Sequence, residues 1–304
     1  MFKDTITVLG NSAALPVRDR KLSAHLLETD RHSLLFDCGE GTQFQLFNLK
    51  KKIQRISKIF ITHLHGDHFF GLPGLLSTMY MLGRQKPIDI YGPEGIEDYL
   101  TQLNKICTAE FKFEINFHII KVESKELIME NESYSIYAFP LIHRKETYGY
   151  LYEQKDIKPN IKKSFVRENE IPVEWFARIK NGEDYIDEDG KVFLNNEITE
   201  SRKTPKSYAF CTDTIFMPQL IDYVKDVTIL YHEATFLSIN KKEATAKKHS
   251  TATDAANIAK EANVGTLIIG HFSARYSNLS LFEDEAKKIF KNTIIAEEGL
   301  HIEL

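Results

Sequence analysis

The chain has 304 residues, 42% of them hydrophobic and 27% charged, enough for one large α/β domain or two modest ones. A net charge of -4 and a pI near 6.3 exclude nucleic-acid binding through a wholly basic surface, though not through a local basic track. Cys38, Cys107 and Cys211 stand far apart and fit buried thiols in a reducing compartment better than a disulfide framework. No basic region followed by a long apolar stretch opens the chain, and no run of about 18 apolar residues follows, so a cytoplasmic protein without membrane contact is expected.

Residues 5–9 alternate as a first strand, and residues 25–28 and 32–36 flank Thr29-Asp30-Arg31 as a hairpin. Residues 57–62 form a strand that runs straight into His63-Leu64-His65-Gly66-Asp67-His68. A helix is expected over 71–82, with Leu72, Leu75, Leu76 and Met79 at i, i+3, i+4, i+7 and Pro73 in its first turn. Strands are expected at 88–91, 115–120, 134–139, 208–211, 227–231 and 266–269, and helices at 96–106, 253–261 and 281–290. Strands in runs early, then alternating with helices, predict an α/β fold of sheet layers covered by helices. No internal repeat interrupts this rhythm. A polar insertion does, from 153 to 206: Lys155, Lys158, Lys162, Lys163 and Arg167 come first, an acidic stretch at 183–189 later. A solvated excursion and an arm touching a large substrate both fit such a segment.

Four donors within six residues, His63, His65, Asp67 and His68, suit a borderline cation such as zinc. So short a loop can hardly direct all four at one tetrahedral ion, which points to two neighbouring metals. Three more polar residues stand where expected strands end: His143, Asp213 and His271. Strand ends are where α/β folds collect site residues. Two zinc ions need roughly seven donors if one is shared. His63, His65 and His143 can form one set, Asp67, His68 and His271 the other, with Asp213 bridging across the about 3.5–4 Å that separates such metals. His232, next to Glu233 on an alternating strand, faces the other way and reads as packing; His25, His32, His118 and His301 have no partner pattern.

The H-x-H-x-D-H loop with its downstream His, Asp and His resembles the metallo-β-lactamase superfamily, which implies a four-layer αββα sandwich. Within it the chain resembles the ribonuclease Z family of tRNA 3′-processing endonucleases. The stretches that carry this are Phe36-Asp37-Cys38-Gly39-Glu40-Gly41-Thr42-Gln43, His63 to His68 continuing into Gly71-Leu72-Pro73-Gly74, His232-Glu233-Ala234-Thr235-Phe236, His249-Ser250-Thr251 and His271-Phe272-Ser273-Ala274-Arg275-Tyr276. They span nearly all of a single domain, 1–304, with 153–206 as a protruding arm. Two departures stand out: the N-terminal turn Leu9-Gly10-Asn11-Ser12-Ala13-Ala14 has one glycine, and Ile171-Pro172-Val173-Glu174-Trp175 replaces the arm's usual Gly-Pro element.

The resemblance implies two zinc ions per chain, precursor tRNA as substrate, and a homodimer in which one subunit's arm grips tRNA bound at the other. Asp67 is expected to orient and deprotonate the attacking water. His249, supported by Glu233, is expected to protonate the departing 3′ oxygen, and Arg275 to hold a phosphate or to pair with an acid. His249 can also be read as a residue just ahead of a helix capped by Ser250 or Thr251. Competing functions on the same scaffold are hydrolysis of small phosphodiesters or esters, and a catalytically silent RNA-binding subunit.

Overall fold

The computed structural model describes residues 3–17, 20–107, 111–155, 159–200 and 205–304. Its main strands, in chain order, are β1 Thr5–Gly10, β2 Ala24–Glu28, β3 Ser33–Phe36, β4 Ile56–Phe60, β5 Ile88–Gly92, β6 Ile115–Ile119 and β7 Glu126–Glu130. They continue with β8 Tyr134–Leu141, β9 Thr147–Gln154, β10 Ser207–Cys211, β11 Ile229–Glu233, β12 Thr266–Gly270, β13 Thr293–Ile295 and β14 His301–Glu303. One seven-stranded sheet has the order β14-β1-β2-β3-β4-β5-β6, the other β13-β12-β11-β10-β9-β8-β7. In the first, β1 to β3 and β14 pair antiparallel while β3 to β6 run parallel. In the second, β10 to β13 run parallel.

Side chains alternate across a strand, and here the alternation sorts aliphatic from aromatic. Leu26, Leu35, Ile59 and Ile90 of the first sheet pack with Leu46, Leu72, Leu75, Met79, Ile96 and Leu100. Those six come from the helices Thr42–Asn48, Leu72–Met81 and Ile96–Cys107. Ala209, Cys211, Leu230 and Ile269 of the second sheet pack with Leu220, Ala255, Ile258, Phe282 and Ala286. Their helices are Gln219–Tyr223, Ala252–Glu261 and Ser280–Lys287. The intervening residues point the other way and close one sheet on the other. Phe36 stacks on Phe60 at 5.2 Å and meets Phe210 at 5.7 Å, and Phe210 stacks on Tyr231 at 4.8 Å. His25 is buried on this seam, its Nδ1 2.7 Å from the Tyr208 hydroxyl and its ring 4.3 Å from that of Tyr231. Burial of each such large side chain is worth about 1.5–3 kcal/mol. The layers are therefore helix, sheet, sheet, helix, as the motifs imply.

Strands β7, β9, β13 and β14 and the helix Thr42–Asn48 are additional to the sequence reading. The chain divides into two compact units: Met1–Met129, Ile136–Tyr152 and Ser207–Leu304 in one, Glu130–Ser135 and Glu153–Lys206 in the other. The second has an apolar cluster of its own, in which Ile161, Ile179, Tyr185 and Ile198 are buried and Phe165, Trp175 and Phe193 pack on them. Two short ladders frame it, Asn160–Ile161 with Thr199–Glu200 and Tyr185–Ile186 with Val192–Phe193. Its two ends meet, for the Gln154 N–H donates to the Lys206 carbonyl at 2.9 Å and the Lys206 N–H to Gln154 Oε1 at 3.0 Å. Of its expected basic residues, Lys158 lies outside the described positions. Among the described residues no helix is long and apolar enough to cross a membrane.

Candidate metal centre

Strand ends of both sheets gather at a cavity of about 570 Å³ lined by His65, Asp67, His143, Asp213, His249 and His271 among others. Asp37 follows β3, His63 to His68 follow β4, His143 follows β8, Asp213 follows β10, Glu233 ends β11 and His271 follows β12. Asp37, Asp213 and His271 turn the chain off their strands in the left-handed region, with φ of 57, 44 and 58°. Backbone-to-backbone contact holds the loops after β3 and β4 together: Cys38 N–H donates to the His68 carbonyl at 2.7 Å, Gly71 N–H to the Cys38 carbonyl at 2.9 Å. A Cβ on Gly71 would lie 2.1 Å from the Gly39 carbonyl oxygen, so these two motif glycines are required by closeness.

Asp213 occupies the centre, nearly fully buried. Its Oδ2 lies 3.5 Å from His63 Nε2 and 3.6 Å from His143 Nε2, and its Oδ1 lies 3.3 Å from His68 Nε2 and 3.1 Å from His271 Nε2. His65 Nδ1 approaches His63 Nε2 at 2.9 Å. Asp67 Oδ2 lies 3.4 Å from His68 Nε2 and 3.6 Å from His271 Nε2, and accepts the Ala14 N–H at 2.7 Å. Two clusters result, each capable of holding an ion: His63, His65, His143 and Asp213 in one, Asp67, His68 and His271 in the other. A third grouping, Asp213 with His249 and His271, overlaps them.

The donor atoms fit divalent cations. His68 Nε2 and His271 Nε2 are buried with no hydrogen-bond partner, a costly state unless a cation takes the lone pair. In four of the five rings the opposite nitrogen is held: His63 Nδ1 by the Thr62 hydroxyl (3.1 Å), His68 Nδ1 by Asp37 (2.6 Å), His143 Nδ1 by the Lys248 carbonyl (3.0 Å) and His271 Nδ1 by the Thr235 hydroxyl (3.0 Å). Such partners set ring orientation and leave Nε2 for a metal. Asp37 also accepts the Thr62 N–H and hydroxyl at 2.9 Å and the Ser23 hydroxyl at 3.0 Å. Burial opposes charge on the His68 ring, yet Asp213, Asp67 and Asp37 together raise its proton affinity well above the usual imidazole value. His63 is pushed the other way, first by burial and then by the neighbouring imidazoles. The pocket thus asks for positive charge that three carboxylates must share.

Next to the clusters, His249 Nδ1 donates to Glu233 Oε1 at 2.8 Å, and Glu233, fully buried, also accepts the Thr214 N–H at 2.8 Å and the Thr235 hydroxyl at 2.7 Å. Burial disfavours the charged imidazole, but the Glu233 carboxylate overcomes it and lifts the His249 pKa to about 9. His249 does sit just ahead of a capped helix: Thr251 and Asp254 form a reciprocal capping box for Ala252–Glu261. Both readings of this residue are thus structurally compatible. Arg275 has its fork filled, NH1 and NH2 reaching the two oxygens of Glu243 at 2.6 and 2.7 Å. Asp37, Thr62 and Thr235 hold the site together and were given no role by the sequence. His232 is buried, with Nδ1 on the Glu233 carbonyl, in keeping with packing.

An imidazole and carboxylate centre of this kind on the rim of an αββα sandwich defines a hydrolase of the metallo-β-lactamase type. YhfI from Bacillus subtilis shares that fold alone, at 17% identity over the whole of both chains with a TM-score of 0.71, and the family model described as Anti-Pycsar protein Apyc1 matches residues 5–157. Ribonuclease Z of Parabacteroides distasonis is 40% identical over 297 residues, 98% of each chain, and human tRNase Z, short form, is 29% identical with a TM-score of 0.71 over 98% of each. The chain belongs to the ribonuclease Z family.

Proposed function

We propose that this chain is a zinc-dependent endoribonuclease that removes the 3′ trailer from precursor tRNA, leaving a 3′-hydroxyl on the tRNA and a 5′-phosphate on the trailer. The observation that supports it most is Asp213, whose two oxygens face different pairs of imidazoles, as a carboxylate shared by two ions must. His63, His65 and His143 would hold one zinc, Asp67, His68 and His271 the other. Zinc held by these residues would make a water nucleophilic at neutral pH and would offset negative charge on the phosphate. The Ala14 N–H donates to Asp67 Oδ2 at 2.7 Å and supports the carboxylate form. Ionised Asp67 orients the water and accepts its proton. The oxygen attacks phosphorus, the bond to the 3′ oxygen breaks, and His249 gives that oxygen a proton. Glu233 keeps the donor ring aimed and stabilises its charge.

The second unit would be the arm that contacts tRNA, in an assembly of two chains. Its half-buried Trp175 with exposed Arg178 stacked on it, 3.8 Å from guanidinium carbon to ring centre, and Lys163 and Arg167 on one helix supply an aromatic face and charge suited to a nucleic acid. The decisive experiment measures zinc per chain and compares cleavage of precursor tRNA with that of a small phosphodiester. Two zinc ions, tRNA cleavage, and its loss in Asp67→Ala with the fold intact are expected. Folded protein that takes up no zinc, or that hydrolyses only the small diester, would end the proposal. Light scattering should show two chains per particle; a monomer would remove the dimer from it.

A further inference from the structure

Thr235 touches both halves of this chemistry. Its hydroxyl has one proton to give and two lone pairs to receive. The Glu233 carboxylate only accepts, so at 2.7 Å the proton goes to Oε2, the oxygen that also takes the Thr235 N–H at 3.1 Å. What remains on the hydroxyl is acceptor capacity, and His271 Nδ1 lies 3.0 Å away. That nitrogen must therefore carry its hydrogen, which leaves Nε2 bare, buried and 3.1 Å from Asp213 Oδ1. The other Glu233 oxygen receives His249 Nδ1 at 2.8 Å. His249 itself is 3.3 Å from the same hydroxyl. The supports of the other rings, the Thr62 hydroxyl, Asp37 and the Lys248 carbonyl, make no hydrogen bond to Glu233.

We propose that Thr235 is a positioning residue that joins His271 to the Glu233–His249 pair, so that the ring facing the metal and the ring donating the proton are set together. This rests on the reading of the site given above, and it adds a coupling that reading does not require. A backbone carbonyl or a water could have held His271 equally well, with no bearing on the proton donor. Here one hydroxyl does both, because its proton commits to Glu233 and its lone pair to His271.

Two substitutions test this. Thr235→Val keeps the shape and removes the hydroxyl; Thr235→Ser keeps the hydroxyl. Zinc affinity is measured by competition with a chelator, the His271 tautomer by nitrogen NMR of the zinc-free protein, and kcat on precursor tRNA at saturating zinc. For Thr235→Val the affinity for one of the two ions should fall about 10–100-fold. His271 should populate both tautomers, and kcat should stay down about tenfold or more even when zinc is saturating. Thr235→Ser should behave as the parent in all three. Unchanged zinc affinity in Thr235→Val, or full recovery of kcat once zinc saturates, would overturn the coupling. If Thr235→Val does not fold, Thr235→Ser decides: a single His271 tautomer sustains the proposal and a mixture overturns it. Failure of the unsubstituted protein to bind two zinc ions would instead strike the reading of the site.

Discussion

His249 and Asp37 are the two residues whose removal should separate the functions of this pocket. His249→Ala should slow tRNA cleavage about 10²–10⁴-fold, the usual contribution of a general acid, while both zinc ions remain bound. In the zinc-free protein the His249 pKa of about 9 should be visible by NMR, and Glu233→Gln should return it to the ordinary imidazole value of about 6.5 or below. The linkage has a definite sign. A raised pKa means that the proton on His249 stabilises the fold fully below about pH 6.5, a contribution lost as pH rises through about 9. Asp37→Ala should instead loosen zinc about 10–100-fold, because His68 Nδ1 loses its 2.6 Å partner. The seven candidate ligands, which the structure brings together, were legible because few side chains other than His and Asp suit zinc at strand ends, whereas the Glu233–His249 pair came only with the family resemblance. Asp37, Thr62 and Thr235 were not, since a lone carboxylate or hydroxyl has no spacing that marks it. The Arg275 partner, Glu243, lies 32 positions upstream on another element, and no periodicity links the two.

The helix Ala252–Glu261 shows how an element sets the site. Its capping box fixes Thr251, the Phe236 carbonyl takes the Ala252 N–H at 3.0 Å, and the Ser250 hydroxyl reaches the Thr214 carbonyl at 2.6 Å. His249 is thereby tied on its C-terminal side. Thr251→Ala should cost about 1 kcal/mol, read as a melting temperature lower by about 2–4 °C, and should reduce kcat before it reduces zinc content. Elements with a clean period were legible, such as Leu72–Met81 with its buried Leu72, Leu75, Leu76 and Met79. Strand β9 was missed because it is buried on both faces over Thr147 to Tyr152, which removes the alternation a strand reading depends on. Strands β7 and β14 were missed for the opposite reason: each ends its sheet, and they are mostly exposed.

For the whole molecule, the apolar cluster inside the 153–206 insertion is the feature hardest to see in the sequence. Ile161, Ile179, Tyr185 and Ile198 form one cluster although 13 or more positions separate most neighbours, so no apolar run announces it. Because the ends of this unit meet at Gln154 and Lys206, residues 155–205 can be replaced by a short glycine linker. The shortened protein should fold, bind two zinc ions and hydrolyse a small phosphodiester. Its cleavage of precursor tRNA should fall about tenfold or more, the loss expected from about 1.4 kcal/mol of contact. Undiminished tRNA cleavage would assign the unit another task.

The seam between the two sheets has a consequence for the acid limit of the molecule. Burial drives the His25 pKa down to about 3, whereas in an unfolded chain it is about 6.5. Between those values the denatured state captures a hydrogen ion that the native interior refuses, so stability present above pH 6.5 drains away toward pH 3. His25→Asn offers the Tyr208 hydroxyl an acceptor that does not titrate. Urea denaturation of that variant at pH 6.5 and 4.5 should show a smaller decline than the parent, and an equal decline would mean that carboxylates alone govern acid unfolding.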